Sequence, residues 1–174
     1  QVRGADLDGA KALQFSHPGI SAKLTNSVDR KFKVQVTAEV PSGVYEARLS
    51  GALGLSNSRL FVVSSLAEIQ STGGNTGMET ALALAEDTVV NAVSVAKQSL
   101  WYSVKAKAGQ RLMLRVSASS IDSRMNPVMT MRGGAGERLT RVNSDGLIDY
   151  TVRTDGDFYI QIHDAAFNGG AEYF

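Results

Sequence analysis

The chain has no cysteine, two histidines, one tryptophan and three prolines among its 174 residues. The absence of cysteine excludes thiol catalysis, disulfide staples and thiolate metal ligands together. An excess of one charge is missing too. Lys and Arg number 18 against 17 Asp and Glu, a net charge of +1, and the basic residues form no stripe. A nucleic-acid binder needs such a stripe to draw phosphate, so that class is set aside. No apolar run approaches the ~20 residues that cross a bilayer, which sets aside direct membrane insertion. A cysteine-free chain fits the cytosol, and equally fits secreted bacterial proteins that rely on core size instead of bridges.

What is present is globular composition, 43% hydrophobic and 20% charged, which argues against disorder. The dominant signal is period-two alternation. Phe32, Val34, Val36, Ala38 and Val40 fall on one face of segment 32–40, and Lys33, Gln35, Thr37 and Glu39 on the other. Successive strand side chains point to opposite faces, so this pattern predicts one dry and one wet side, as in an antiparallel sheet. The same alternation places Tyr45, Ala47 and Leu49 on one face, then Leu100, Tyr102, Val104 and Ala106. It recurs at Leu112, Leu114 and Val116, and at Phe158, Ile160 and Ile162. Turn signals lie between them: Asp8-Gly9, Pro41-Ser42-Gly43, Ala108-Gly109, Asp145-Gly146, Asp155-Gly156 and Asn168-Gly169. Many short strands with spaced turns predict a sandwich.

Only residues 78–86 favour helix, through their Ala, Leu and Glu content. The stretch is short, so one or two turns at most are expected, with extended chain as the competing reading. Residues 67–77 are polar and Gly-rich and read as a linker between blocks 1–66 and 78–174. Gln1 is not an initiator Met, and Phe174 falls inside what reads as a strand. The chain therefore reads as a fragment of a longer, processed polypeptide, truncated at the start of its first block and at the end of its second. A missing signal peptide then carries no information.

The first block resembles an immunoglobulin-like module of the IPT/TIG type. The likeness runs through Arg3-Gly4-Ala5-Asp6-Leu7-Asp8-Gly9-Ala10 and Leu13-Gln14-Phe15. It continues through Val34–Val40, Pro41-Ser42-Gly43-Val44-Tyr45, and Leu53-Gly54-Leu55-Ser56-Asn57 with Leu60-Phe61-Val62-Val63. The second block resembles a bacterial pre-peptidase C-terminal (PPC) domain. Its motifs are Leu100-Trp101-Tyr102 leading to Ala108-Gly109-Gln110-Arg111-Leu112, then Asn126-Pro127-Val128-Met129-Thr130-Met131. The last is Asp155-Gly156-Asp157-Phe158-Tyr159-Ile160-Gln161-Ile162. The resemblance implies an all-β fold of two tandem antiparallel β-sandwiches, Ig-like and then a PPC-type, jelly-roll-like sandwich. Where relatives place two acidic residues before the aromatic strand, this chain has Gln98 and Leu100. That puts any calcium role of those carboxylates in question.

Chemical candidates are few. His17 sits in a Ser-His-Pro-Gly turn, and His163 and Asp164 are strand neighbours that point to opposite faces, so they form no catalytic pair. No Gly-x-Ser-x-Gly elbow appears. The cluster Gly133-Gly134-Ala135-Gly136-Glu137 lacks the ending of a phosphate loop and reads as a hairpin loop. Asp145, Asp149, Asp155, Asp157 and Asp164 read as turn chemistry ahead of calcium ligation. Met129 and Met131 read as core or interface packing. Trp101 and Tyr159 fall on the wet side by parity, with Arg111 and Arg115 nearby if their strands are neighbours. These four residues are the candidate contact surface, because aromatic rings and arginine concentrate at binding hot spots. A covering by the first module or by an absent neighbour explains them equally well.

The expected function is a non-catalytic adhesion or scaffolding segment of a larger exported bacterial protein, periplasmic or on the cell surface. Its partners would be other domains of the same chain or another protein. No catalytic, cofactor-binding or metal residue is assigned. One rival is an accessory carbohydrate- or calcium-binding module of a secreted hydrolase. The other is a subunit piece of a surface layer or large extracytoplasmic complex.

Overall fold

The computed structural model describes residues 1–5 and 7–174. Asp6, part of the opening segment of the first resemblance, lies outside the described residues. The fold is all-β, and its contacts divide the chain into two compact units, Gln1–Ser65 and Leu66–Phe174.

The first unit holds β1 (Ala12–Phe15), β2 (Ile20–Asn26), β3 (Lys31–Val36), β4 (Gly43–Gly51), β5 (Gly54–Leu55) and β6 (Arg59–Val63). β4 pairs with β1 along one edge and with β5 and β6 along the other, all antiparallel, while β2 and β3 form a separate antiparallel pair. The alternation of β4 puts Tyr45, Ala47 and Leu49 inward as expected, with Leu49 only 6% exposed. Phe15 and Phe61 meet edge to face with centroids 5.2 Å apart. Ile20, Val40 and Leu49 are the buried hydrophobics of this unit.

Segment 32–40 departs from the expected single dry face. β3 ends at Val36, residues 38–39 form a turn, and Ala38 is exposed. Phe32 and Val34 are only half-buried and Val36 is 38% exposed. β3 belongs to a two-stranded ribbon, which has too little opposing surface to seal a whole face.

The second unit holds β7 (Ala67–Gln70), β8 (Leu82–Ala83), β9 (Thr88–Asn91), β10 (Leu100–Ala106), β11 (Arg111–Val116), β12 (Pro127–Arg132), β13 (Arg138–Asn143), β14 (Gly146–Thr151) and β15 (Gly156–Asp164). A five-stranded sheet runs β13-β12-β15-β10-β8, and β11 pairs with β14 as a separate ribbon. Leu100, Tyr102, Met129, Met131, Phe158 and Ile160 of the sheet share one buried cluster with Ile148 of the ribbon, and Leu112, Leu114 and Val116 pack against it. Met129 and Met131 are thus core residues, 1% and 0% exposed.

Two findings differ from a purely antiparallel pattern. β8 pairs with β10, and β7 with β9, in parallel. A parallel neighbour needs a long crossover, and residues 71–87 supply one between β7 and β9. Residues 67–77, read as a linker, therefore include a paired strand, and Asn75 within them is 4% exposed. Residues 78–86 form one 3₁₀ turn at Met78–Thr80, then the two-residue strand β8, and end in a turn at Glu86.

Candidate functional site

Antiparallel register fixes which side chains share the outer face of the five-stranded sheet. Trp101 stands opposite Gln161 and Ser103 opposite Tyr159, so Trp101 and Tyr159 are diagonal neighbours on one face. Across β15, Tyr159 stands opposite Arg132 of β12. The Arg132 guanidinium carbon lies 5.7 Å from the Trp101 ring centroid, a cation–π arrangement. Its Nε and Nη2 donate to Gln161 Oε1 at 3.1 and 3.0 Å, and Nη1 donates to the Gly136 carbonyl at 2.9 Å. Gln161 Nε2 in turn donates to Ser99 Oγ at 3.0 Å. Trp101 and Tyr159 are half-buried. The expected Gly133–Glu137 hairpin joins β12 to β13 and supplies that Gly136 acceptor, so this aromatic patch is braced by its own unit.

Arg111 and Arg115 do not join Trp101 and Tyr159. They lie on β11, which pairs with β14 and not with any strand of the five-stranded sheet. Parity places all four residues outward but carries no information on which strands become neighbours. The arginine that reaches Trp101 is Arg132, which sequence reasoning missed because it closes the run Pro127–Met131 of almost wholly buried residues. Arg111 Nε donates to Asp149 Oδ1 at 2.7 Å, and Nη2 bonds the other carboxylate oxygen. This fork holds the Asp149 carboxyl below its ordinary pKa. Arg115 has no ion pair among the described residues.

The late aspartates each meet a donor of their own fold. Asp164 is 2% exposed and accepts the backbone N–H groups of Asn126, Ala166 and Asn168 at 2.9, 3.0 and 3.0 Å. Asp145 accepts those of Ala118, Ser119 and Ser120 at 2.9, 3.2 and 2.8 Å, at the start of the 3₁₀ turn Ser119–Ile121. Burial alone would raise both carboxyls, but the hydrogen bonds outweigh it and both sit below the ordinary aspartate pKa. Asp155 accepts the Ala108 N–H at 2.8 Å, and Asp157 lies 3.7 Å from Lys105 Nζ. Among the described residues no group of three or more His, Cys, Asp or Glu side chains converges for a metal.

Two buried serines were also illegible in the sequence. Ser94 and Ser123 tie the segment after β15 to the body of the unit. Ser94 Oγ donates to the Asn168 carbonyl and Ser123 Oγ to that of Glu172, and Ser123 Oγ accepts the N–H groups of Met125 and Phe174. Gly169 passes so close to this region that a Cβ there would lie 2.2 Å from the Ala96 nitrogen.

The histidines serve local structure. His17 Nδ1 accepts the Gly19 N–H at 3.0 Å, which closes the expected turn. His163 stacks on Phe167 with centroids 4.3 Å apart. An open depression of about 400 Å³ lies beside the end of β10, lined in part by Glu86, Lys105, Gln110 and Asp157. Within it Lys105 pairs with Asp157, and Gln110 donates to Glu86. Among the described residues no helix is long and apolar enough to cross a membrane. No protein-family model matches the chain, and no curated protein matches it in sequence.

Proposed function

We propose that the chain is a non-catalytic adhesion or scaffolding segment of a larger exported bacterial protein, an IPT/TIG-type module followed by a PPC-type module. It acts by presenting rigid β surfaces to other domains of its own chain or to another protein. One observation carries this reading. The side chains best suited to chemistry are spent on holding loops: Asp145 and Asp164 each accept three backbone N–H groups, and Arg132 is held by Gln161 and Gly136. A carboxylate saturated by backbone donors has few lone pairs left for a cation or a substrate proton.

Calorimetric titration of the chain with calcium, and then with a panel of glycans, tests the reading. Flat heats are expected throughout. A saturable heat with calcium or any glycan would replace the scaffold by a ligand-binding module.

A further inference from the structure

The β11–β14 ribbon pairs with no other described strand, and β11 forms one of its two outer edges. The Val152 N–H donates to the Gln110 carbonyl at 2.8 Å, and the register then runs from Arg111 opposite Thr151 to Val116 opposite Gly146. Antiparallel partners alternate between bonded and non-bonded pairs, so Leu112, Leu114 and Val116 exchange hydrogen bonds with β14. The N–H and C=O groups of Arg111, Met113 and Arg115 point the other way. None of these groups bonds to another described residue, and β11 pairs with no described strand but β14. Unpaired backbone along a strand is a ready template for another strand.

The side chains on this edge select the occupant. Arg111, Met113 and Arg115 share one face, and all are exposed, Met113 to 60%. Leu147, opposite Arg115 and diagonal to Met113, is 48% exposed. The edge thus offers an exposed apolar side chain, Met113, beside an arginine with no ion pair among the described residues, while the Arg111 charge is already offset by Asp149. A second copy of the chain fits poorly. Antiparallel self-pairing centred on Met113 would set Arg111 directly opposite Arg115 of the other copy, and like charges in that position are unfavourable.

We propose that β11 is a docking edge for an extended acidic segment of a partner protein, which adds to the ribbon as a further strand. An apolar side chain of the partner lies against Met113. A carboxylate two residues away meets Arg115, and backbone hydrogen bonds to Arg111, Met113 and Arg115 supply the shared affinity. This rests on the reading of the chain as a contact module and names the chemistry of its partner.

The test uses the full chain and a blocked peptide with glutamate–threonine–valine–threonine–glutamate at its centre, whose symmetry serves either strand direction. The control carries lysine for both glutamates. Fluorescence anisotropy should show saturable binding of the acidic peptide only. Arg115→Glu, at an exposed side chain, should weaken it by about tenfold or more and favour the lysine peptide. Met113→Pro removes an edge N–H without touching the β14 ladder and should abolish binding by a chain whose circular dichroism stays β. Binding of neither peptide, equal binding of both, or unchanged binding by the folded Met113→Pro chain would each overturn the proposal. If calorimetry with calcium and glycans stays flat in that case, the scaffold reading stands and only this edge fails.

Discussion

Asn75 treats Trp101 as a strand neighbour: its side-chain Nδ2 donates to the Trp101 carbonyl at 2.9 Å, and its own carbonyl accepts the Trp101 N–H at 2.8 Å. One residue of an irregular segment thus pairs both backbone groups that β10 presents at this point of its edge. Asn75→Ala keeps the backbone bond and loses the side-chain one, leaving the part-buried Trp101 carbonyl without that donor. Urea unfolding should show a loss of about 1–3 kcal/mol. The Trp101 amide should stay protected from exchange; its release would mean that the backbone bond depends on the side chain.

Asp164 and Asp155 form a matched contrast. Asp164 is buried and accepts three backbone N–H groups, whereas Asp155 is exposed and accepts one from Ala108. Asp164→Ala leaves those donors unanswered and should cost about 3 kcal/mol or more, against about 1 kcal/mol or less for Asp155→Ala. Equal losses in chemical denaturation would contradict the role given to Asp164.

The same carboxylates set an acid limit. Asp145 and Asp164 have folded-state pKa values below the ordinary 3.8. In that window the folded chain binds fewer protons than the unfolded one, so stability rises with pH. Their contribution is complete above the ordinary carboxylate range and is lost as pH falls through the lowered values. Unfolding midpoints measured from neutral pH down to about pH 3 should therefore fall. The fall should be smaller for Asp164→Asn, which has already lost one of the two groups. An identical slope for the variant would count against the assignment.

Gly169 and Gly156 separate close packing from mere turn preference. A Cβ at Gly169 would stand 2.2 Å from the Ala96 nitrogen and 2.5 Å from the Val95 carbonyl carbon, both backbone, while at Gly156 it meets nothing within 4 Å. Gly169→Ala should cost about 2–3 kcal/mol. Gly156→Ala should stay within about 0.5 kcal/mol. Thermal unfolding of the two variants side by side measures the difference.

These contrasts also show where the sequence was legible. Alternation exposed the cores of β4, β10 and β15 because each has a partner on both sides and a packed inner face. It overstates segment 32–40, where β3 has only β2 beside it among the described strands and Val36 stays open. Parity is a local property, so it placed Trp101, Tyr159, Arg111 and Arg115 outward but could not assign Arg111 and Arg115 to the ribbon with β14. The polar residues that fix the loops, Asn75, Ser94, Ser123 and Asp164, each have a partner 26 to 74 residues away, beyond the reach of any short motif.

The outer edge of β11 stays available for contact on a well-braced sandwich. Residue-resolved hydrogen exchange on the free chain reads this directly along β11. The N–H groups of Leu112, Leu114 and Val116 should be protected and those of Arg111, Met113 and Arg115 should exchange almost freely, an alternation along a single strand. Uniform protection from Arg111 to Val116 would mean that the edge is already paired, and would contradict its role as a docking edge.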